Sequence, residues 1–203
     1  MPTEILRPIG AGDETSIPTQ SPSSTYHWDK VDDETPDELL TRISNGVFWE
    51  YKRDLFTLTP PSASGVINSI KIYFRIKHFN GVENAYAKPS QKSGGIVTDG
   101  TEVAKPAYPT PGYNLFITYS QTYTTNPATG LPYTRAELTT FQAGVAIHAS
   151  EGAWATLCTQ VYVEVDYDLI GVRLYPKAFT GIYRNINPVT ANYRKIKSFT
   201  GGG

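Results

Sequence analysis

The chain has one cysteine and one methionine in 203 residues. The lone thiol, Cys158, can close no disulfide within the chain, so the sequence carries no disulfide framework and suits synthesis in a reducing compartment. Three histidines, His27, His78 and His148, stand too far apart for any recognised metal spacing, and no metal or cofactor is expected. There is no run of ~18 apolar residues, and the opening MPTEILRPIGAGDETS lacks the basic start and apolar stretch of a signal peptide. Neither a membrane partner nor secretion is expected. Strong charge is missing too: 18 basic against 19 acidic side chains leave a net charge of -1, which removes the bulk electrostatic case for nucleic acid. Gly94-Gly95 and the run Gly201 to Gly203 lack the strand-to-helix setting of a phosphate loop.

What is abundant points one way. Fourteen Tyr, 17 Gly and 15 Pro favour pleated strands and turns over helices. The class expected is all-β: an antiparallel, jelly-roll-like β-sandwich with one short helical turn and extended N- and C-terminal arms. Residues 1–24 read as an N-terminal arm or edge strand, 25–167 as the sandwich domain and 168–203 as a basic C-terminal arm. Charge is unevenly placed: Met1 to Thr41 hold nine acidic and two basic residues, whereas Asp168 to Gly203 hold six basic and one acidic.

Within the domain, Tyr26 to Val31 reads as a short strand, Pro36 as the start of a brief helical turn, and Val47 to Leu58 as one or two strands. Gly65 to Phe79 alternates most clearly, with Ile70, Ile72, Phe74 and Ile76 against Lys71, Tyr73, Arg75 and Lys77. Asn80-Gly81 then signals a tight hairpin into Val82 to Ala87. Gly94 to Val103 reads as a strand, Lys105 to Gly112 as a loop, and Tyr113 to Tyr123 as a strand.

The stretch Thr124 to Tyr167 joins a turn at Asn126-Pro127, a capping box formed by Thr134 and Glu137, and a closing strand. Gly144 is expected to end the helical turn. From Leu157 on, strict alternation sets Leu157, Thr159, Val161, Val163 and Val165 on one face and Cys158, Gln160, Tyr162, Glu164 and Asp166 on the other.

Several groupings could carry chemistry. Glu164, Asp166 and Asp168 share one face of a strand, with neighbours roughly 6 to 7 Å apart. VEVDYD resembles the E-x-D-x-E strand signature of jelly-roll β-glucanases. That resemblance would make Glu164 the nucleophile, Asp166 its helper and Asp168 the acid/base, although the family has glutamate at the last position. The alternative is the solvated face of a terminal strand. Asp29, Asp32, Asp33, Glu34 and Asp37 could surround calcium, but match no EF-hand spacing, and a polar loop whose acids favour the start of the Pro36 turn is the commoner arrangement. Cys158 with His148 could form a nucleophile and base, though a regular strand favours a structural thiol. Trp28, Trp49, Trp154 and the tyrosines could stack on sugars, or fill core and interface. Arg173, Lys177, Arg184, Arg194, Lys195 and Lys197 could meet nucleic acid, but the acidic front of a neighbouring copy offers them a better partner.

TEILRPIGAGDETS, WDKVDDETPDE, RDLFTL, GVINSIKIYFRIK, SQTYTTNPATGLPYTRAEL, QAGV and CTQVYVEVDY together resemble a class of β-sandwich proteins of tailed bacteriophages, prophages and related archaeal viruses. The resemblance covers Thr3 to Tyr167; it departs at Tyr133, where the family usually has tryptophan, and it brings no catalytic residue. It implies a virion component such as a head-decoration, collar, tail or fibre part. The expected function is therefore a non-enzymatic structural protein of the virion, assembled in the host cytoplasm from copies of itself and other virion proteins. Its terminal arms would carry the assembly contacts. The alternative is a glycan- or receptor-binding module of a phage appendage, with a host surface glycan as partner, and a glycoside hydrolase using Glu164 ranks last.

Overall fold

The computed structural model describes residues 2–62, 65–79, 84–106, 115–150 and 154–169. In chain order their strands are β1 (Thr3–Leu6), β2 (Pro8–Thr15), β3 (Thr19–Ser21), β4 (Arg42–Asn45), β5 (Lys52–Leu58) and β6 (Gly65–His78). They continue with β7 (Ala85–Ser93), β8 (Ile96–Asp99), β9 (Val103–Lys105), β10 (Ile117–Tyr123), β11 (Gln142–Ala149) and β12 (Thr156–Leu169). A 3-10 turn covers Trp28–Lys30, and one turn of helix, α1, covers Arg135–Leu138.

Two antiparallel sheets face each other. Sheet I runs β10-β6-β12-β4-β3, with β1 also on β12; sheet II runs β2-β5-β11-β7-β8, with β9 also on β7. From β4 onward the chain crosses between sheets at almost every connection, so that β4-β12-β6-β10 opposes β5-β11-β7-β8. This is the strand order of a jelly roll. The first 21 residues contribute β1 and β3 to sheet I and β2 to the edge of sheet II.

The core forms because the inward residues of both sheets are apolar. On β6, Ile70, Ile72, Phe74 and Ile76 are all at most 1% exposed, and each contributes about 1.5 to 3 kcal/mol by leaving water. Phe74 and Ile76 meet Phe56 of β5, Ala87 of β7 and Val145 and Ile147 of β11 from the opposite sheet. Toward the other end, Ile70 and Ile72 join Leu6, Leu58, Val163 and Val165 around Leu138 of α1 and Phe141 just beyond it. The Thr134–Glu137 capping box is formed: the Glu137 N–H donates to Thr134 Oγ1 at 3.3 Å, and the Thr134 N–H donates to Glu137 Oε2 at 2.6 Å.

Several sequence-based assignments are revised. Asn80-Gly81 lies outside the described residues, but the strands on either side cannot form a hairpin, because β6 belongs to sheet I and β7 to sheet II. Both edges of β6 are already taken by β10 and β12. Tyr26 to Val31 holds a 3-10 turn rather than a strand. The Pro36 segment makes only a turn, closed by the Leu40 N–H on the Asp37 carbonyl at 3.3 Å. Gly144 does not end α1; it sits inside β11, which is buried on both faces. Gly94 and Gly95, with φ of 57° and 83°, make the tight turn between β7 and β8, as two left-handed residues require. In β12 a bulge between Cys158 and Gln160 breaks the alternation, bringing Cys158 into the core beside Val161.

Candidate functional site

The two outer faces of the sandwich differ. On sheet II, register places Tyr86 opposite His148, Lys88 opposite Ala146 and Ser90 opposite Gly144, while Arg53 lies across from Ala146 on the other side. Ala146 and Gly144 make a low floor, and over it the guanidinium of Arg53 donates to both Asp99 oxygens, at 2.9 and 2.6 Å. Arg53 also donates to Glu14 at 2.9 Å, and Ser90 donates to Asp99 at 2.7 Å. Burial works to raise the Asp99 carboxyl, but the hydrogen bonds from Arg53 and Ser90 outweigh it and hold it below the usual carboxylate range. The register shift in β2 carries Gly12 to Glu14 over this same face, where the Asp13 N–H donates to Gln142 Oε1 at 2.9 Å.

The remaining part of the face, nearest the loops before β5 and after β11, is an aromatic rim. Tyr86 lies flat against His148 at 4.7 Å and 7°, and Tyr51 meets the same imidazole edge-on at 4.5 Å and 89°. Trp49 closes the group at 6.0 Å from His148. Lys88 places its ammonium 4.2 Å from the Tyr51 ring centroid, and the Tyr51 hydroxyl donates to Glu102 at 2.5 Å. Burial first, and then the Glu102 carboxylate, push the Tyr51 phenol well above the usual tyrosine range, so it remains a hydrogen-bond donor. His148 itself is only 6% exposed, and serves as the wedge that sets three rings at fixed angles.

Trp49 and Trp154 are 67% and 64% exposed, and both adopt positive φ, 61° and 59°. That conformation is strained for a bulky side chain, at about 1 to 3 kcal/mol each, and persists only where neighbouring structure holds it. Here the Trp49 N–H donates to the Ala149 carbonyl at 2.9 Å, and the Phe79 N–H donates to Ala155 at 2.8 Å, tying three loops together. Phe48 and Phe79 are exposed on the same loops. The arrangement offers planar apolar surface beside an ammonium, a carboxylate and a phenol, the means to hold a flat-faced polyol.

The other candidates are dispersed. Glu164 and Asp166 share the outer face of sheet I, opposite Lys71 and Ser69, and Asp168 stands opposite Val66 near the end of β12. Cys158 and His148 are not brought together: Cys158 is fully buried in the core beside β6, its thiol pushed up to about 12 chiefly by burial, whereas His148 belongs to the outer face of sheet II. Trp28 packs against the core and Tyr26, so it is no open platform. Among the acids of the 29–38 segment, Asp33 and Asp37 accept from the Thr41 hydroxyl at 3.0 and 2.7 Å, and Asp29 pairs with Lys30. Burial, and the neighbouring Asp33 and Asp29, push the Asp32 carboxyl up. Among the described residues no three His, Cys, Asp or Glu side chains are grouped to hold a metal ion, and no helix is long and apolar enough to cross a membrane. Arg173, Lys177, Arg184, Arg194, Lys195 and Lys197 lie outside the described residues.

The sequence marked Trp49, Trp154 and the tyrosines by type as able to stack on sugars, but not Lys88, Glu102 and His148, nor the grouping of Tyr51 and Tyr86 with them. These come from four separate segments that only the jelly-roll crossings bring together. The one available signal was QAGVAIHA, a short apolar run of small residues consistent with a strand buried on both faces.

No family model matches the chain, and no curated protein matches it. Among solved structures it is similar to the CBM22-1 xylan-binding domain from Paenibacillus barcinonensis, at 10% identity and TM-score 0.37, over 66% of this chain and 78% of that one. A carbohydrate-binding module from Cellvibrio mixtus lichenase 5A, in complex with cellotriose, is 16% identical at TM-score 0.34, over 81% of this chain and 99% of that one. The enzymatically active domain of a tailspike protein from Bacteriophage CBA120 is 13% identical at TM-score 0.38, over 79% of this chain and 19% of that one.

Proposed function

We propose that the protein is a glycan-binding module that receives a sugar against the aromatic rim of sheet II. The observation that carries this reading is the grouping of Trp49, Tyr51 and Tyr86 around His148, with Lys88 and Glu102 beside them. A pyranose has an apolar face of C–H groups and a belt of hydroxyls. The rings bury the first; the ammonium and carboxylate satisfy the second. The resemblance of Thr3 to Tyr167 to virion β-sandwich proteins supports a phage appendage as the setting, with a host surface glycan as the partner.

Trp49→Gly tests the site without confounding it with folding. Glycine relieves the positive φ at that position, so the melting temperature should hold or rise, while affinity for a responding oligosaccharide in a glycan array or calorimeter falls by about tenfold or more. Tyr51→Ala should weaken binding similarly. Silence across a broad array, or binding indifferent to both substitutions, would refute the reading.

The uneven charge of the chain favours a second reading, virion assembly through the basic residues after Asp168. Truncation of residues 169–203 is then expected to leave a folded monomer by light scattering; an unchanged oligomer would count against it.

A further inference from the structure

Sheet I carries a second set of polar groups that the rim does not use. On its solvent face Thr122, Lys71 and Glu164 lie directly across from one another on β10, β6 and β12. One pleat along, Ser69, Asp166 and Thr3 form the next row on β6, β12 and β1. These six side chains line an open groove of about 330 Å³, at the lower end of the range for small-molecule sites. With strands ~4.8 Å apart and successive same-face residues ~7 Å apart, the groups together span the breadth of a single sugar ring.

Two details give the groove a chemical character. Lys71 is held in place by a ladder: its ammonium lies 4.7 Å from the Tyr73 ring centroid, Tyr73 stacks on Tyr162 at 4.5 Å and 10°, and the Arg7 guanidinium closes the far side at 5.2 Å. Asp166 Oδ1 is enclosed, and among the described residues nothing donates to it. With no donor to anchor it, the Asp166 carboxylate can turn, and doing so presents an oxygen to a donor in the groove. Two carboxylates repel an anion, an apolar ligand would leave them unpaired, and the described residues group no metal-binding set. What fits three hydroxyls, two carboxylates and one ammonium is a neutral molecule that both donates and accepts at several adjacent points.

We infer that this groove is a second carbohydrate site, taking one neutral pyranose whose adjacent hydroxyls donate to Asp166 and Glu164 and accept from Lys71 and Thr122. It lies on the sheet opposite the aromatic rim and stands independently of the function proposed for that rim. The chain would then hold glycan on both faces of the sandwich.

The test is an NMR titration of the isotope-labelled full chain with glucose, galactose, mannose and N-acetylglucosamine in turn, and with calcium chloride alone. The expected result is saturable shifts at millimolar concentration in the amides of Ser69, Lys71, Thr122, Glu164 and Asp166 for at least one sugar. Lys71→Met and Asp166→Asn should weaken that response by about tenfold or more. Thr122→Val, which keeps a β-branched residue on an exposed strand, should weaken it while leaving the fold unaltered, and Trp49→Gly should leave it unchanged. The inference is overturned if no sugar shifts these amides, if the shifts ignore the groove substitutions, or if calcium chloride alone reproduces them.

Discussion

Gly144→Ala is expected to destabilise the protein by about 3 kcal/mol or more, a large share of the roughly 5 to 15 kcal/mol that holds a domain of ordinary stability. Gly144 lies in the middle of β11, paired with Leu55 on one side and Ser90 on the other. A Cβ at this position would overlap the Asp54 carbonyl oxygen and stand 2.8 Å from its carbon and 3.0 Å from Leu55 Cα. All three atoms are backbone of the adjacent strand, so no side chain can swing aside. Relief would require β5 to move away from β11, which opens the ladder from Gln142 to Ile147. Chemical denaturation of the variant measures the effect, and a midpoint indistinguishable from that of the parent would show the close approach to be absent.

Asp54→Ala is expected to cost about 3 to 5 kcal/mol. Asp54 is fully buried on the inner side of β5, where its Oδ1 accepts from the Ile17 N–H at 2.9 Å and its Oδ2 lies 2.6 Å from His27 Nδ1. One carboxylate therefore anchors two separate segments, the connection after β2 and the residue that opens the 3-10 turn. Alanine would leave an enclosed N–H and an imidazole without their acceptor and a hole in the core beside Phe56. The loss should be local before it is global. Amide exchange should accelerate first between Ser16 and Val31, ahead of β6 and β12. Asp54→Asn, which retains an oxygen for Ile17, should lie between the two. Uniform acceleration across both sheets in the alanine variant would contradict this assignment.

Legibility from sequence followed the local physics. The alternation of β6 and the capping box of Thr134 and Glu137 depend on neighbours within a few residues, and both were readable. β11 was not, because a strand buried on both faces has no polar side and its small residues answer to strands far away in sequence. The bulge at Cys158 was equally hidden: it puts Cys158 on the core side together with Val161, while Val161, Val163 and Val165 keep the face that alternation gave them, and only the partner strand determines it. The candidate site suffered from the same cause. Tryptophans announced themselves by type, but His148 gains its role from Tyr51 and Tyr86, which reach it through crossings between sheets. The basic residues from Arg173 to Lys197, legible as a charge pattern, lie outside the described residues.

The pairing of β1 with β12 has a mechanical consequence. Thr3 lies opposite Asp166, and the Tyr167 N–H donates to the Pro2 carbonyl at 3.3 Å, so the chain enters and leaves the sandwich side by side. Trp154 and Trp49 lie beyond the opposite end of β12, whose 14 residues extend over roughly 40 Å. A tether through either exit grips one pole and leaves the aromatic pole pointing away from the anchor. Tension between the two exits would peel β1 from β12 one rung at a time, a weaker arrangement than shear, so an attachment under tension would have to use only one of them.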